Sequence, residues 1–175
     1  DNSYVAKAKT AFDKGIEVIL NTQNTVNGVK TAWCAQHDEV SLLPAAARSY
    51  ELASNSGSES VGIVRTLMMI ENPSEEIKQA VIDAVTWFDD VKLLDIATQK
   101  TSDDLIVVDS SGNIIWARFY DLDTNLPFFC GRDGIKKNTL AEIERERRTG
   151  YAWYGNWPKN LIGSEYNSWK NKHGI

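Results

Sequence analysis

Three arginines lie in segments whose residue types could bind an acidic ligand. Arg48 occurs in AAARSYELASNSGSESVG, Arg118 in WARFYDLDTN and Arg132 in PFFCGRDGIKK. A planar guanidinium binds a carboxylate through two parallel hydrogen bonds, and nearby aromatic rings can stack on a sugar or on the guanidinium itself. If these segments meet in space, they form a surface suited to an anionic carbohydrate. Composition alone, however, favours a plain core with satisfied surface charges.

Each arginine has a second interpretation, as one half of a surface salt bridge. The carboxylate neighbours in the sequence are Glu51 for Arg48, Asp121 for Arg118 and Asp133 for Arg132. Glu51 follows Arg48 by three residues, which is the spacing of neighbours on one helix face.

Two further side chains are candidates for substrate contact. Trp33 could stack on a sugar, and core packing fits it at least as well. His37 stands beside Asp38, as a general acid–base pair would, but a structural or substrate-lining role is favoured.

The charge of the chain bears on its partners. The chain has 175 residues and a net charge of −5, whereas nucleic-acid binding needs a broad basic surface, so we expect no nucleic acid. Basic residues are concentrated between positions 132 and 148. A local basic groove on an acidic protein can attract an anionic substrate, although a solvated mixed-charge helix from Glu142 to Arg148 fits the same residues. No apolar run approaches the roughly 18 residues that span a membrane, so no membrane contact is expected.

Metal and disulfide patterns are weak. No Cys-x-x-Cys or His-rich spacing suggests zinc. Asp38, Asp121 and Asp133 are candidate oxygen ligands, but calcium takes about six to eight oxygens and nothing assembles such a set, so no metal ligand is predicted. Cys34 and Cys130 could form one disulfide in an exported protein, and two buried thiols are the favoured interpretation.

Hydrophobic spacing predicts that the chain is mainly helical. Residues 3–23 form a helix with one apolar face, since apolar residues recur there every three or four positions. The residues of that face are Val5, Ala8, Phe12, Ile16, Ile19 and Leu20. A second helix is predicted from Ser58-Glu59. A third follows Asn72-Pro73, with the asparagine as the cap and the proline in the first helical position. Further helices are predicted over 139–148 and after Pro158.

Loops and a short β-hairpin are predicted between the helices. Residues 89–104 have the composition of a polar loop. Residues 105–109 and 114–118 flank Ser110-Ser111-Gly112-Asn113, which predicts a hairpin with its turn at those four residues. Residues 121–134 are predicted to be loop. Long loops in a compact unit are usually functional, and here they hold or adjoin the three arginines.

Five strings occur in one order along residues 31–155. They are TAWCAQHD, YELASNSGSESVGIVR, WARFYDL, GRDGIKK and ERRTGYAWYG. As an ordered set they resemble the C-terminal half of the catalytic domain of pectate lyases of polysaccharide lyase family 10. The resemblance implies that residues 1–175 are a single domain or lobe. Its expected fold class is mainly α, as the C-terminal lobe of an incomplete (α/α)3 toroid with long loops and a short β-hairpin.

The resemblance also implies a reaction and roles for the arginines. Such lyases cleave de-esterified homogalacturonan, or polygalacturonate, by anti β-elimination: a base removes the C5 proton of a uronate and the C4–O4 bond breaks. By string matching, Arg48 corresponds to the catalytic base, and Arg118 and Arg132 correspond to arginines that hold substrate carboxylates. A guanidinium pKa is about 12.5 or higher, so neighbouring positive charges must favour its neutral form. Activity is therefore expected to rise into the alkaline range.

A metal ion and a partner follow from the same resemblance. Calcium commonly neutralises the uronate carboxylate, and its ligands are expected in an N-terminal lobe outside this sequence. That lobe, as a separate chain, is a candidate partner besides polygalacturonate. Because the polymer is extracellular, a secreted or periplasmic location is expected.

Two functions stay open at this point. The chain is either one half of a lyase that acts with its other half, or a non-catalytic pectate-binding module. An exposed apolar interface favours the first, and a polar surface in its place favours the second.

Overall fold

The computed structural model describes residues 2–175, in which helices and short strands alternate. The helices are α1 (Asn2–Asn21), α2 (Glu59–Met68), α3 (Glu75–Asp90), α4 (Arg145–Gly150) and α5 (Tyr166–His173). The strands are β1 (Thr25–Val26), β2 (Val29–Lys30), β3 (Asn55–Ser56), β4 (Leu93–Lys100), β5 (Leu105–Ala117), β6 (Phe119–Tyr120), β7 (Phe129–Cys130), β8 (Lys136–Lys137) and β9 (Tyr154–Gly155).

Helices α2 and α3 form the centre of the larger hydrophobic core. Both have apolar residues at helical spacing, and these residues are buried together with Trp33 and Trp116. The second and third predicted helices are therefore confirmed. The predicted cap of α3 is wrong, because Ser74 caps it instead of Asn72: the Ser74 hydroxyl accepts a hydrogen bond from the Ile77 N–H at 3.3 Å.

Helix α1 is confirmed, but its apolar face is buried only at one end. Leu20 is buried, Ile16 and Ile19 are half-buried, and residues 2–15 are all exposed. Most of the predicted apolar face thus points into solvent.

A long hairpin replaces the predicted polar loop and short hairpin. Strands β4 and β5 pair antiparallel, and the chain reverses at residues 101–104, where the Thr101 hydroxyl accepts from the Asp104 N–H at 2.9 Å. The prediction of a turn at residues 110–113 is wrong. Gly112 and Asn113 lie at a bulge, where the register shifts and the Gly112 N–H donates to the Asp95 carboxylate at 2.7 Å. The Ser-Ser-Gly-Asn signal marked a break in strand pairing instead of a chain reversal.

The predicted helix over 139–148 is wrong in its middle. A 3₁₀ turn over Leu140–Glu142 ends at Ile143, whose backbone is extended, and α4 begins at Arg145. The Thr139 amide and hydroxyl both donate to the Glu142 carboxylate at 2.8 Å, which caps the first turn locally. The helix after Pro158 is confirmed; a π-helical turn over Leu161–Glu165 leads into α5.

A second, smaller core lies beneath the loops that carry the arginines. Its buried residues are Phe119, Phe128, Phe129, Cys130, Leu140, Ile143 and Trp153. Tyr50 and Tyr151 pack against it from the loop side. The whole is a helical lobe with a larger β component than the sequence predicts. Among residues 2–175, every helix is too short or too polar to cross a membrane.

Candidate functional site

The Tyr50 ring is the meeting point of three guanidinium groups. The Arg147 guanidinium carbon lies 3.8 Å from the ring centre, that of Arg48 lies 4.9 Å away and that of Arg132 lies 5.5 Å away. A cation near an aromatic face is attracted by the ring quadrupole. The Tyr50 ring therefore attracts three guanidinium groups that would otherwise repel each other. Two of the three predicted arginines, Arg48 and Arg132, are therefore brought together here.

Tyr151 extends the cluster to the third predicted arginine. Its ring centre lies 4.9 Å from the Arg118 guanidinium carbon and 4.8 Å from that of Arg147. We refer to these four side chains as the arginine cluster: Arg48, Arg118, Arg132 and Arg147. Burial raises the pKa of Tyr151 to about 12, so its hydroxyl remains protonated and donates to Glu51 at 2.9 Å.

Arg48 is bound to Glu51 by two hydrogen bonds. Its Nε donates to Oε2 at 2.8 Å and its Nη2 donates to Oε1 at 2.5 Å. The salt-bridge interpretation of Arg48 is thus confirmed as a contact. The hydrogen bonds to Glu51 raise the pKa of Arg48 and hold the pKa of Glu51 at about 2, so the pair favours a charged guanidinium.

Arg118 is held by its backbone from two sides. Its N–H donates to the Trp153 carbonyl at 2.8 Å, and its carbonyl accepts from the Gly57 N–H at 2.9 Å. A Cβ at Gly57 would lie 2.2 Å from the Ala117 carbonyl oxygen, so this close approach requires glycine. The side chain forms an ion pair with Glu59 on α2. The predicted pairing of Arg118 with Asp121 is wrong, because Asp121 binds Lys136.

Arg132 is fixed by carboxylates at the start of α4. Its Nε and Nη2 donate to Glu146 at 3.1 and 2.8 Å, and its backbone N–H donates to Glu144 at 3.1 Å. The hydrogen bond to Glu146 raises the pKa of Arg132. The predicted pair with Asp133 is wrong, because Asp133 binds Lys137 at 3.0 Å.

Arg147 differs from the other members of the cluster because it is buried. Only 5% of it is exposed, and within residues 2–175 its Nε and Nη2 have no hydrogen-bond partner and its guanidinium has no carboxylate within ion-pair distance. Its guanidinium lies between Tyr50, Tyr151 and Trp153. The solvated helix face predicted from Glu142 to Arg148 is therefore wrong at this residue. Sequence reasoning placed Arg147 in a basic segment but gave no signal of its burial.

An open pocket of about 330 Å³ lies beside two members of the cluster. Arg48, Arg118 and Tyr151 line it together with Glu51 and Glu59. No sequence pattern marks the two glutamates as site residues, although the spacing of Glu51 does predict the ion pair. Two guanidinium groups facing one cavity can bind a ligand that carries more than one carboxylate.

Trp33 and His37 occupy supporting positions. Trp33 is 1% exposed and its indole N–H donates to the Ile19 carbonyl at 2.7 Å, which fits core packing and leaves almost no ring surface for a sugar. His37 Nε2 accepts from the Cys34 N–H at 3.2 Å, and Nδ1 lies 3.0 Å from the Leu42 carbonyl oxygen. His37 thus ties together the loop that precedes Arg48.

No metal-binding group is complete within the described part of the chain. Residues 2–175 contain no cluster of three or more His, Cys, Asp or Glu side chains able to hold an ion. Asp38, Asp121 and Asp133 are each bound by another side chain or backbone group, those of Ser41, Lys136 and Lys137 respectively. Cys34 and Cys130 are buried free thiols, as favoured above.

The family comparison matches nearly the whole chain. A family model described as pectic acid lyase matches residues 1–162. No curated protein matches.

Two solved structures share the fold at substantial identity. One is a mutant of a family 10 polysaccharide lyase from Cellvibrio cellulosa in complex with trigalacturonic acid; it is 42% identical, with a TM-score of 0.84, over 95% of this chain and 51% of that one. The other is the family 10 polysaccharide lyase from Cellvibrio cellulosa, 42% identical with a TM-score of 0.85, over 92% of this chain and 51% of that one. This chain therefore spans about half the length of the structures it matches.

Proposed function

We propose that this chain, which belongs to the pectic acid lyase family, supplies the arginines of a site that cleaves polygalacturonate. The observation that carries the proposal is the pocket in which Arg48 and Arg118 face one cavity. A polyuronate presents a carboxylate on every sugar, and paired guanidinium groups suit such a ligand. One of the solved relatives is a complex with trigalacturonic acid, which supports the same class of substrate.

The protein carboxylates in the site indicate how a substrate would bind. Three arginines of the cluster form ion pairs with the carboxylates of Glu51, Glu59 and Glu146. A uronate carries the same chemical group. A substrate carboxylate can bind a guanidinium by replacing one of these glutamates, which costs little at the exposed Arg132–Glu146 pair and more at the partly buried Arg118–Glu59 pair. Arg118 and Arg132 would hold substrate carboxylates in this way.

Arg48 would act as the base of a β-elimination. A nitrogen of the neutral guanidine takes the C5 proton, and the C5–H electrons form the C4=C5 double bond. The C4–O4 bond breaks, O4 leaves with its electron pair, and water supplies the proton that O4 needs. The products are two shorter chains, one of which carries a 4,5-unsaturated uronate at its new non-reducing end.

Two opposing influences act on the proton of Arg48. The hydrogen bonds to Glu51 raise the pKa of Arg48, whereas partial desolvation of the guanidinium lowers it. The Arg48–Glu51 pair must therefore open before Arg48 can accept a proton. Activity should still rise into the alkaline range, since only a neutral guanidine can act as the base.

Calcium is expected from the family resemblance, but the described residues do not form a site for it. From that resemblance we infer that the calcium ligands lie outside residues 2–175. By the same resemblance we infer that the lobe belongs to an incomplete (α/α)3 toroid and works outside the cell or in the periplasm.

The test follows the ultraviolet absorbance of the unsaturated product. The chain is incubated with polygalacturonate and calcium at alkaline pH, with and without EDTA. Arg48→Ala is compared with Arg65→Ala, a matched control because Arg65 is also exposed and binds Glu165 through two hydrogen bonds. We expect Arg48→Ala to lower the rate by about 10²- to 10⁴-fold, the usual contribution of a general base, and Arg65→Ala to leave it unchanged. Equal rates for the two variants would refute the role of Arg48.

A pectate-binding module without catalysis is the second candidate. The paired guanidinium groups that line one pocket could hold a polyuronate without cleaving it. In that case no unsaturated product forms, and the chain migrates more slowly in a native gel that contains pectate.

A further inference from the structure

The carboxylate of Glu144 lies directly against the backbone of Gly131. A Cβ at Gly131 would lie 2.1 Å from Glu144 Oε2, 2.8 Å from its Cδ and 3.0 Å from its Oε1. Gly131 is buried, whereas Glu144 is exposed. The carboxylate can approach this part of the backbone so closely only because residue 131 has no side chain.

This close contact places the carboxylate on the backbone amide of Arg132. The Arg132 N–H donates to Glu144 Oε1 at 3.1 Å and to Oε2 at 3.3 Å. A hydrogen bond from an amide to an ionised carboxylate is stronger than one between neutral groups. The loop that contains Arg132 is therefore attached to the start of α4 at the point where the Arg132 side chain begins.

Arg132 is held at both ends by the same turn of chain. Glu144 binds its amide, and Glu146, two residues later, binds its guanidinium. The Glu144 carbonyl also accepts from the Arg147 N–H at 2.9 Å, so the same residue begins the turn that carries Arg147. A ligand carboxylate that replaces Glu146 leaves the Glu144 contact in place, and the backbone of Arg132 then keeps its position.

We propose that Glu144 is a positioning residue for ligand binding by Arg132. It holds the Arg132 backbone in place while the guanidinium exchanges Glu146 for a carboxylate of the ligand. Gly131 belongs to the same arrangement, because any side chain there would displace the Glu144 carboxylate. The proposal rests on the proposed role of Arg132 in holding a substrate carboxylate.

The test is a double-mutant cycle with trigalacturonate as the probe. Its binding is measured by titration calorimetry for Gly131→Ala, Glu144→Ala and the double variant. We expect each single substitution to weaken binding by about three- to tenfold, the usual effect of one hydrogen bond. The double variant should bind no more weakly than Glu144→Ala alone, because the three atoms nearest to the added methyl group all belong to Glu144. Losses that multiply in the double variant would overturn the proposal.

Two further variants separate positioning from a general loss of stability. Glu144→Gln keeps an oxygen that can accept from the Arg132 N–H, so it should restore binding to within about twofold of the unchanged chain. Glu142→Ala is the matched control, because Glu142 is also exposed and also accepts a backbone N–H, that of Thr139 at 2.8 Å. It should leave binding unchanged. Equal losses in Glu142→Ala and Glu144→Ala would contradict a specific role of Glu144.

A measurement without ligand distinguishes a failure of this proposal from a failure of the proposed function. Hydrogen exchange of the Arg132 amide should be about tenfold faster in Glu144→Ala and unaltered in Glu142→Ala. An unaltered Arg132 amide in Glu144→Ala would overturn the positioning role even if trigalacturonate binds. If the unchanged chain does not bind trigalacturonate, the proposed function fails, and faster exchange in Glu144→Ala would still support the hold of Glu144 on Arg132.

Discussion

Arg48 and Arg147 contact the same Tyr50 ring in opposite surroundings. The Arg48 side chain is 62% exposed and is paired with Glu51, whereas Arg147 is 5% exposed and has no carboxylate partner in residues 2–175. An exposed pair can open at low cost, while a buried guanidinium is costly to desolvate and depends on the aromatic rings around it. The site thus separates a group that can exchange partners from a group that maintains the shape of the site.

The largest effect on stability is expected from a substitution of the buried Arg147. Arg147→Ala removes the contacts with Tyr50, Tyr151 and Trp153 and should lower the free energy of unfolding by about 2–3 kcal/mol, since desolvated cation–π contacts and the packed stem both contribute. Urea unfolding measures this change.

Arg145→Ala is the control for Arg147→Ala. Arg145 is exposed on the same helix α4, and its loss should change the free energy of unfolding by no more than about 0.5 kcal/mol. If Arg147→Ala is neutral or stabilising, the cost of burying an unpaired charge outweighs its ring contacts, and the assignment of a shape-maintaining role fails.

A smaller effect is expected when Glu51 loses its charge. Glu51→Gln removes the main cause of the raised pKa of Arg48, so a larger fraction of Arg48 is neutral at a given pH. If Arg48 is the base, the alkaline rise of the lyase rate should move to lower pH. The measurement is the rate against pH for both proteins. Glu165→Gln, which removes the equivalent partner of Arg65, should not move the profile. A uniform loss of rate without a shift would mean that Glu51 only positions Arg48.

The smallest effect concerns stability in acid. Glu51 has its pKa lowered from 4.5 to about 2 in the folded chain, first by the hydrogen bonds from Arg48. A lowered pKa means that the stabilisation is fully present above pH 4.5 and is lost as the pH falls toward 2. Because Arg48 is exposed, we expect about 1 kcal/mol or less. Chemical unfolding between pH 5 and 2 should show a shallower loss for Glu51→Gln than for the unchanged chain, and equal slopes would contradict the pairing.

The local sequence pattern predicted correctly the helices that pack against the core, but it did not predict the hairpin. In α2 and α3 the apolar spacing leads directly to burial. In β5 the Ser-Ser-Gly-Asn segment has the composition of a turn, but pairing with β4 continues on both sides of it and makes it a bulge. Strand pairing between distant residues overrode local turn propensity there.

The site shows the same division between near and distant partners. The Arg48–Glu51 pair was predictable because the partner is three residues away. Arg118 instead binds a glutamate that is 59 positions away in the sequence, and Arg132 binds one that is 14 positions away. The shorter-range pairs predicted from the sequence were wrong. The burial of Arg147 was hidden for the same reason, since the Tyr50 ring that covers it comes from a remote loop. The catalytic and binding roles of the arginines stay predictions.

The backbone of Arg118 connects three remote segments, because it bonds to Gly57 on one side and to Trp153 on the other. Both bonds close long stretches of chain, and such non-local contacts form late and slowly during folding. The pocket lined by Arg48 and Arg118 should therefore appear only after α2 and the segment around β9 have reached Arg118. A newly synthesised chain would form this pocket only once the segment around Trp153 has folded into place.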